Sequence, residues 1–315
     1  MAVLAGANSN QYSMHEIDPL RPEPPTPARQ VTMLNWEILC IVCMFLVIAA
    51  FVFKTWLRRK WARLQLRGFC EGWASDFPGC VTVIKDRKGR DLFRDVRGFL
   101  NRAERKKMKD NAIFRLYSMT KPVTIVGALL LVDRGLLALN DPVSKFIPEF
   151  DVHEMEVVDA HGKKKKCKNE MLMRHLMSMT SGLGYGLVMN PTSTHPCDIA
   201  YKEKNVATRA QLLNSTSLAD FCVRLARCPL AFEPGSRWQY GWSVDVLGRG
   251  IEVVSEKRLD DFLREEVLRP LQMYDTDFVI PESKHDRLME EYELSAMGET
   301  VVTDYGLPLT ECNVP

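Results

Sequence analysis

Residues 114–135, Phe-Arg-Leu-Tyr-Ser-Met-Thr-Lys-Pro-Val-Thr-Ile-Val-Gly-Ala-Leu-Leu-Leu-Val-Asp-Arg-Gly, admit one kind of local structure. Apolar side chains at Val123, Ile125, Val126, Leu129, Leu130 and Val132 surround a helix axis instead of striping one side of it, the pattern of a helix buried in a core. Pro122 fits only the first turn, where a missing N–H costs nothing. Ser118 and Lys121 therefore fall three residues apart at the helix N-terminus, on one face.

A serine hydroxyl is a poor nucleophile until a neighbour removes its proton. Lys121 can be that neighbour when neutral, and desolvation against a buried helix, together with the positive helix N-terminus, is expected to push its pKa down. The same terminus offers free backbone N–H groups, that of Ser118 among them, to the oxyanion formed when an acyl carbonyl is attacked. Alone, a Ser-x-x-Lys spacing arises by chance about once in a chain of this length, and an isolated match reads as a helix cap beside a solvated lysine.

The surrounding residues favour the chemical reading. Downstream come Gly135-Leu-Leu-Ala-Leu-Asn-Asp-Pro-Val-Ser-Lys-Phe-Ile-Pro-Glu-Phe150, then Met171-Leu-Met-Arg-His-Leu-Met-Ser-Met-Thr-Ser-Gly-Leu183, then Phe232-Glu-Pro-Gly-Ser-Arg-Trp-Gln-Tyr240-Gly-Trp-Ser-Val-Asp-Val-Leu-Gly248. In this order, from about Phe77 to Phe278, the chain resembles the serine hydrolases related to class C β-lactamases, a group that includes penicillin-binding-protein-like peptidases and family VIII carboxylesterases. The resemblance implies an α+β fold, an antiparallel sheet flanked by helices, and an acyl-serine intermediate with no cofactor and no metal.

It also implies that Tyr240 lies beside Ser118 and Lys121 and relays the proton, which a phenol can do when a nearby ammonium steadies its anion. The catalytic candidates are thus Ser118, Lys121 and Tyr240. A core aromatic beneath the following helix is the alternative for Tyr240. His175 is read as a helix residue without catalytic duty, and Thr180 to Gly182 as a loop shaping the cleft. Trp242 stands where the family's Tyr-x-Asn carries an amide, a departure that favours the esterase-like branch over a true β-lactamase.

Upstream, the uncharged run Ile38–Phe53, extended by Asn35, Trp36, Trp56 and Leu57, reaches the ~30 Å of a bilayer core at ~1.5 Å per residue. Tryptophans at both ends suit two membrane interfaces. The expected division is a disordered polar tail over 1–34, a transmembrane helix over 35–57, a basic juxtamembrane helix over 58–76, and a hydrolase domain over 77–315. Lys54, Arg58, Arg59, Lys60, Arg63 and Arg67 follow the span, against Arg21 and Arg29 before it, so the positive-inside rule puts the domain in the cytosol. The sequon Asn214-Ser-Thr216 points the other way.

A net charge of +2 gives no reason to invoke nucleic acid. Nine irregularly spaced cysteines form neither a disulfide framework nor a zinc set. Pro78 to Lys85 and Asp91 to Gly98, joined by Asp86-Arg-Lys-Gly89, read as a β-hairpin. The run His161-Gly-Lys-Lys-Lys-Lys-Cys-Lys168 reads as a solvated loop, Ser217-Leu-Ala-Asp220 as a capping box, and the residues after Pro281 as charged and then featureless.

No Lys-Thr-Gly, His-x-Gly or Trp-Gly-Gly signature of the family's C-terminal strands follows Tyr240. Two readings result. One is a membrane-anchored serine hydrolase, chiefly a carboxylesterase, acting on a small ester or amide. The other is a truncated or degenerate homologue serving as a scaffold or binding module.

Overall fold

The computed structural model describes residues 27–158, 162–186, 192–206, 217–294 and 300–302; residues 1–26 of the polar tail and the sequon at Asn214 lie outside them. The chain divides after Gly72 into two compact units.

The first unit contains most of α1 (Pro27–Asp76), a continuous helix in which the apolar and the basic segments are one element. Within it, Ile41–Gly72 is the one helix among the described residues that is long and apolar enough to cross a membrane, and none of its apolar window is buried in protein. Lys60 lies 5.1 Å over the Trp56 ring.

The second unit begins with β1 (Gly79–Lys85), β2 (Asp91–Asn101) and β3 (Lys106–Lys107), an antiparallel sheet in the order β1-β2-β3. The expected hairpin runs in register from Gly79 opposite Gly98 to Ile84 opposite Phe93. Asp86 closes its turn by accepting hydrogen bonds from the backbone N–H of Lys88 and Arg90, at 2.8 and 3.0 Å. The outer edge of β1 has no partner strand among the described residues.

Helix α2 (Thr120–Asp133) sits at the centre of the helical layer and packs on α6 (Ser243–Ser255) and α7 (Leu259–Leu263). Gly127 permits the approach: a Cβ there would lie 2.6 Å from Leu263 Cδ2. The expectation of burial on every side fails, because Thr124, Gly127, Ala128 and Leu131 are buried while Val126 and Leu129 are each 44% exposed. The core covers one side of α2 and leaves the opposite apolar stripe open.

Between α2 and the remaining helices lie β4 (Glu156–Val158), β5 (Lys164–Lys166), α3 (Met173–Met177), α4 (Pro196–Glu203) and α5 (Leu218–Ala226). The lysine run is not a plain loop: Lys164 to Lys166 pair antiparallel with Val158 to Glu156. Buried Val157 and Val158 anchor the hairpin, so the lysines can remain exposed while their backbone is hydrogen-bonded. Ser217 caps α5 as expected, its Oγ accepting from Asp220 N at 3.1 Å.

The residues after Pro281 are also structured. A 3₁₀ turn at Glu282–Arg287 leads into a stretch beside the approach to Ser118, with Ile113 N donating to Arg287 O (2.8 Å) and Met289 N to Ile113 O (2.9 Å). β6 (Tyr292–Leu294) and β7 (Thr300–Val302) then form a short hairpin. Backbone pairing to distant residues, rather than local periodicity, orders this segment.

The thiols of Cys167, Cys197, Cys222 and Cys228 are buried and unpaired. Desolvation drives all four upward, to about 11 for Cys167 and about 12 for Cys197 and Cys228.

Candidate active site

Ser118 lies in a 3₁₀ turn, Tyr117–Met119, that runs directly into α2, so Met119 and not Ser118 takes the N-cap position. Its hydroxyl is exposed and accepts a hydrogen bond from Lys121 Nζ at 3.4 Å. Lys121 Nζ in turn lies 5.0 Å from the centre of the Tyr240 ring and 5.4 Å from that of Tyr185. The three candidates read from sequence therefore meet in one place.

Tyr240 arrives there because its segment is bound to the loop after α3. Gly235, at φ +83°, donates to Thr180 O at 2.8 Å, and Gln239 N donates to Met179 O at 2.9 Å. Gly241 is pressed so closely against the chain that a Cβ would lie 2.1 Å from Leu183 O. Beneath the contact, the buried hydroxyls of Ser181 and Ser243 share a hydrogen bond of 2.8 Å. His175 serves this architecture, its Nδ1 accepting from Leu172 N at 3.2 Å at the start of α3.

Trp242 offers the site no polar group. Its ring is buried, edge-on to Tyr185 at 4.5 Å and to Phe221 at 5.2 Å, and its Nε1 has no hydrogen-bond partner among the described residues. Trp238 does the opposite, 67% exposed and 6.5 Å from Tyr240 between ring centres.

The electrostatics reverse one expectation. Desolvation lowers the Lys121 pKa, but hydrogen bonding and charge interaction with Tyr185, the charge of Asp245 and a hydrogen bond to Tyr240 outweigh it, so the ammonium is held above its ordinary value. The phenol is the group moved toward neutrality of the pH scale: desolvation raises Tyr240, yet hydrogen bonds with Ser118, Lys121 and Tyr185 bring it below 10. The shifts favour the ammonium at Lys121 and the anion at Tyr240.

Two members of the cluster were not singled out from sequence. Tyr185 sits edge-on to Tyr240 at 5.3 Å, and desolvation raises its pKa against the pull of Lys121. Its signal was the flanking Gly184 and Gly186, which allow a close chain approach. Asp245, raised to about 6 by desolvation although Lys121 pulls it down, sits in the first turn of α6, where an acid reads simply as favourable to a helix N-terminus.

A cavity of about 490 Å³ lies on another side of α2, lined by Ile113, Leu116, Val123, Leu268 and Phe278 among others. Neither Ser118, Lys121 nor Tyr240 lines it. No cluster of His, Cys, Asp and Glu fit to hold a metal occurs among the described residues.

A family profile described as Beta-lactamase matches residues 67–309. Esterase EstB of Burkholderia gladioli is 34% identical over 209 residues, covering 65% of this chain and 48% of its own length. Acyltransferase mokF of Monascus pilosus is 30% identical over 211 residues, covering 64% of this chain and 48% of its own. Among solved structures, EstCE1, described as a hydrolase with promiscuous acyltransferase activity, aligns with a TM-score of 0.66 at 27% identity over 79% of this chain and 60% of that one. The chain spans about half the length of the curated relatives it matches.

Proposed function

The chain belongs to the beta-lactamase family, and from that premise we propose that it is a membrane-anchored serine hydrolase of carboxylesterase type, working through an acyl-Ser118 intermediate. The observation that carries the reading is the 3.4 Å contact of Lys121 Nζ with Ser118 Oγ beneath the Tyr240 ring.

In the proposed cycle the Tyr240 phenolate, steadied by the Lys121 ammonium, accepts the Ser118 proton as Oγ attacks the acyl carbonyl. The Ser118 backbone N–H is placed at a helix N-terminus to donate to the resulting oxyanion. Collapse of the tetrahedral intermediate breaks the bond to the leaving alcohol, which takes the proton back from Tyr240. Water, deprotonated by the same phenolate, then attacks the acyl-serine and frees the acid and Ser118.

A fluorophosphonate probe should label the full chain and leave Ser118→Ala unlabelled. Equal labelling of both would end the hydrolase reading. An alcohol in place of water would make the same intermediate an acyl donor, a second reading favoured by the acyltransferase named among the relatives. Product partition between water and added alcohols separates the two. The rival reading of a non-catalytic binding module draws on the apolar Trp242 at the amide position. Ester turnover that disappears in Lys121→Ala defeats it.

The length and composition of Ile41–Gly72 support the anchor. The cations from Lys54 to Arg67 support a cytosolic domain, testable by protease protection in sealed vesicles.

A further inference from the structure

Tyr117, the residue immediately before Ser118, has φ +46°. A bulky residue in this left-handed region is strained and persists only where its surroundings impose it. One side chain contacts both the strained residue and the residue two places before it. Glu291 Oε1 accepts the hydrogen bond of the Tyr117 hydroxyl, and Glu291 Oε2 lies 3.1 Å from Arg115 Nε. The carboxylate therefore joins the residues one and three places before the nucleophile.

Both members of the ion pair are mostly shielded from solvent, with side-chain exposures of 23% for Arg115 and 17% for Glu291. Glu291 is itself placed by the backbone. Met289 N donates to Ile113 O, Glu290 N to Leu100 O at 2.9 Å, and Ile113 N to Arg287 O. On the other side of the strain, Met119 N donates to Leu116 O at 2.9 Å, closing the 3₁₀ turn that presents Ser118.

We infer that Glu291 is a positioning residue for Ser118: by holding Arg115 and Tyr117 on one carboxylate it fixes the left-handed turn that aims the Ser118 hydroxyl at Lys121 and Tyr240. This rests on the hydrolase reading only for its effect on rate. The clamp itself is a property of residues 111–121 and 287–292.

Two measurements on the full chain in detergent micelles test it separately. The first is amide hydrogen exchange over 114–121, compared among wild type, Glu291→Ala and Tyr117→Phe. Faster exchange there in both variants, with exchange in α6 unchanged, supports the clamp. Unchanged exchange over 114–121 overturns it, whether or not any probe reacts with Ser118.

The second is fluorophosphonate inactivation resolved into binding and maximal rate. Glu291→Ala should slow the maximal rate about 10- to 100-fold with little change in probe affinity, the range that a displacement of about 1 Å produces. Glu291→Gln, which keeps an acceptor for the Tyr117 hydroxyl but removes the charge that pairs with Arg115, should restore part of the rate. The double variant Tyr117→Phe, Glu291→Ala should be no slower than Glu291→Ala alone, since the Tyr117–Glu291 hydrogen bond is already absent there. A maximal rate in Glu291→Ala equal to wild type overturns the positioning role. A wild type that no probe labels, with exchange still accelerated in Glu291→Ala, supports the clamp and retracts the hydrolase reading instead.

Discussion

The turn that carries Ser118 is held by side chains with charge or a hydroxyl, whereas the segment that carries Tyr240 is held by glycines, a buried serine pair and a buried indole. The first set of contacts acts through long side chains that can adjust by small rotations. The second acts through backbone atoms already in van der Waals contact, which cannot. Two halves of one site can therefore have opposite tolerances: substitution on the serine side should alter reactivity, and substitution on the tyrosine side should alter folding before it alters chemistry.

The comparison breaks most visibly at Lys121. In the proposed cycle Lys121→Ala removes the cation that steadies the phenolate, and it should slow acylation of Ser118 by about 10²- to 10⁴-fold, while the thermal midpoint stays near that of wild type. Loss of folding together with activity would mean that this side is as rigid as the other.

Gly241→Ala is the matching change on the tyrosine side. Its new methyl would meet a carbonyl oxygen at 2.1 Å, which the core cannot relieve by a rotamer change. A cost of about 3 kcal/mol is expected, read as a lower denaturant midpoint. A variant as stable as wild type would show that this contact is adjustable.

Asp245 sharpens the contrast, since it lies on the tyrosine side and acts on the lysine. Its pKa in the folded chain, about 6, exceeds the ordinary 3.8, so the unfolded chain loses the proton first and stability falls as pH rises from about 4 through 6. Asp245→Asn should therefore be more stable than wild type at pH 7 and slower to acylate, because Lys121 loses an anion that supports its charge. Reduced stability at pH 7 would contradict the assignment.

The smallest effect expected is a displacement along the pH axis. Acylation should rise with pH as Tyr240 ionises below its ordinary 10, and fall above 10.5 as Lys121 finally loses its proton. In Tyr240→Phe the rising limb should vanish, and the falling limb with it, because no phenolate is left for the Lys121 ammonium to steady. A rising limb that survives assigns the proton acceptor elsewhere.

Much of this site was legible in the chain because its signals are local. Ser118 and Lys121 share a helix turn, and Tyr240 follows a Pro-Gly turn that only a special backbone shape explains. The direction of the Lys121 pKa was not legible. A helix N-terminus and burial can be read from the lysine's own neighbours, but the two phenols and the carboxylate that outweigh them come from other elements. Glu291 was hidden for the same reason, being placed by backbone pairing to Leu100 and Ile113. The apolar count on α2 overstated its burial because composition records how much surface is greasy and not how much is covered. In the lysine run, charge concealed a strand whose anchoring residues, Val157 and Val158, lie on the other arm of the hairpin.

The four sequestered sulfurs have a practical consequence for chemical profiling. Nucleophilicity at sulfur requires the thiolate, which desolvation suppresses at Cys167, Cys197, Cys222 and Cys228 alike. Soft electrophiles such as chloroacetamides should therefore pass these four positions by and report instead on the thiols that the fold leaves accessible, exposed Cys43 and half-buried Cys80 among them.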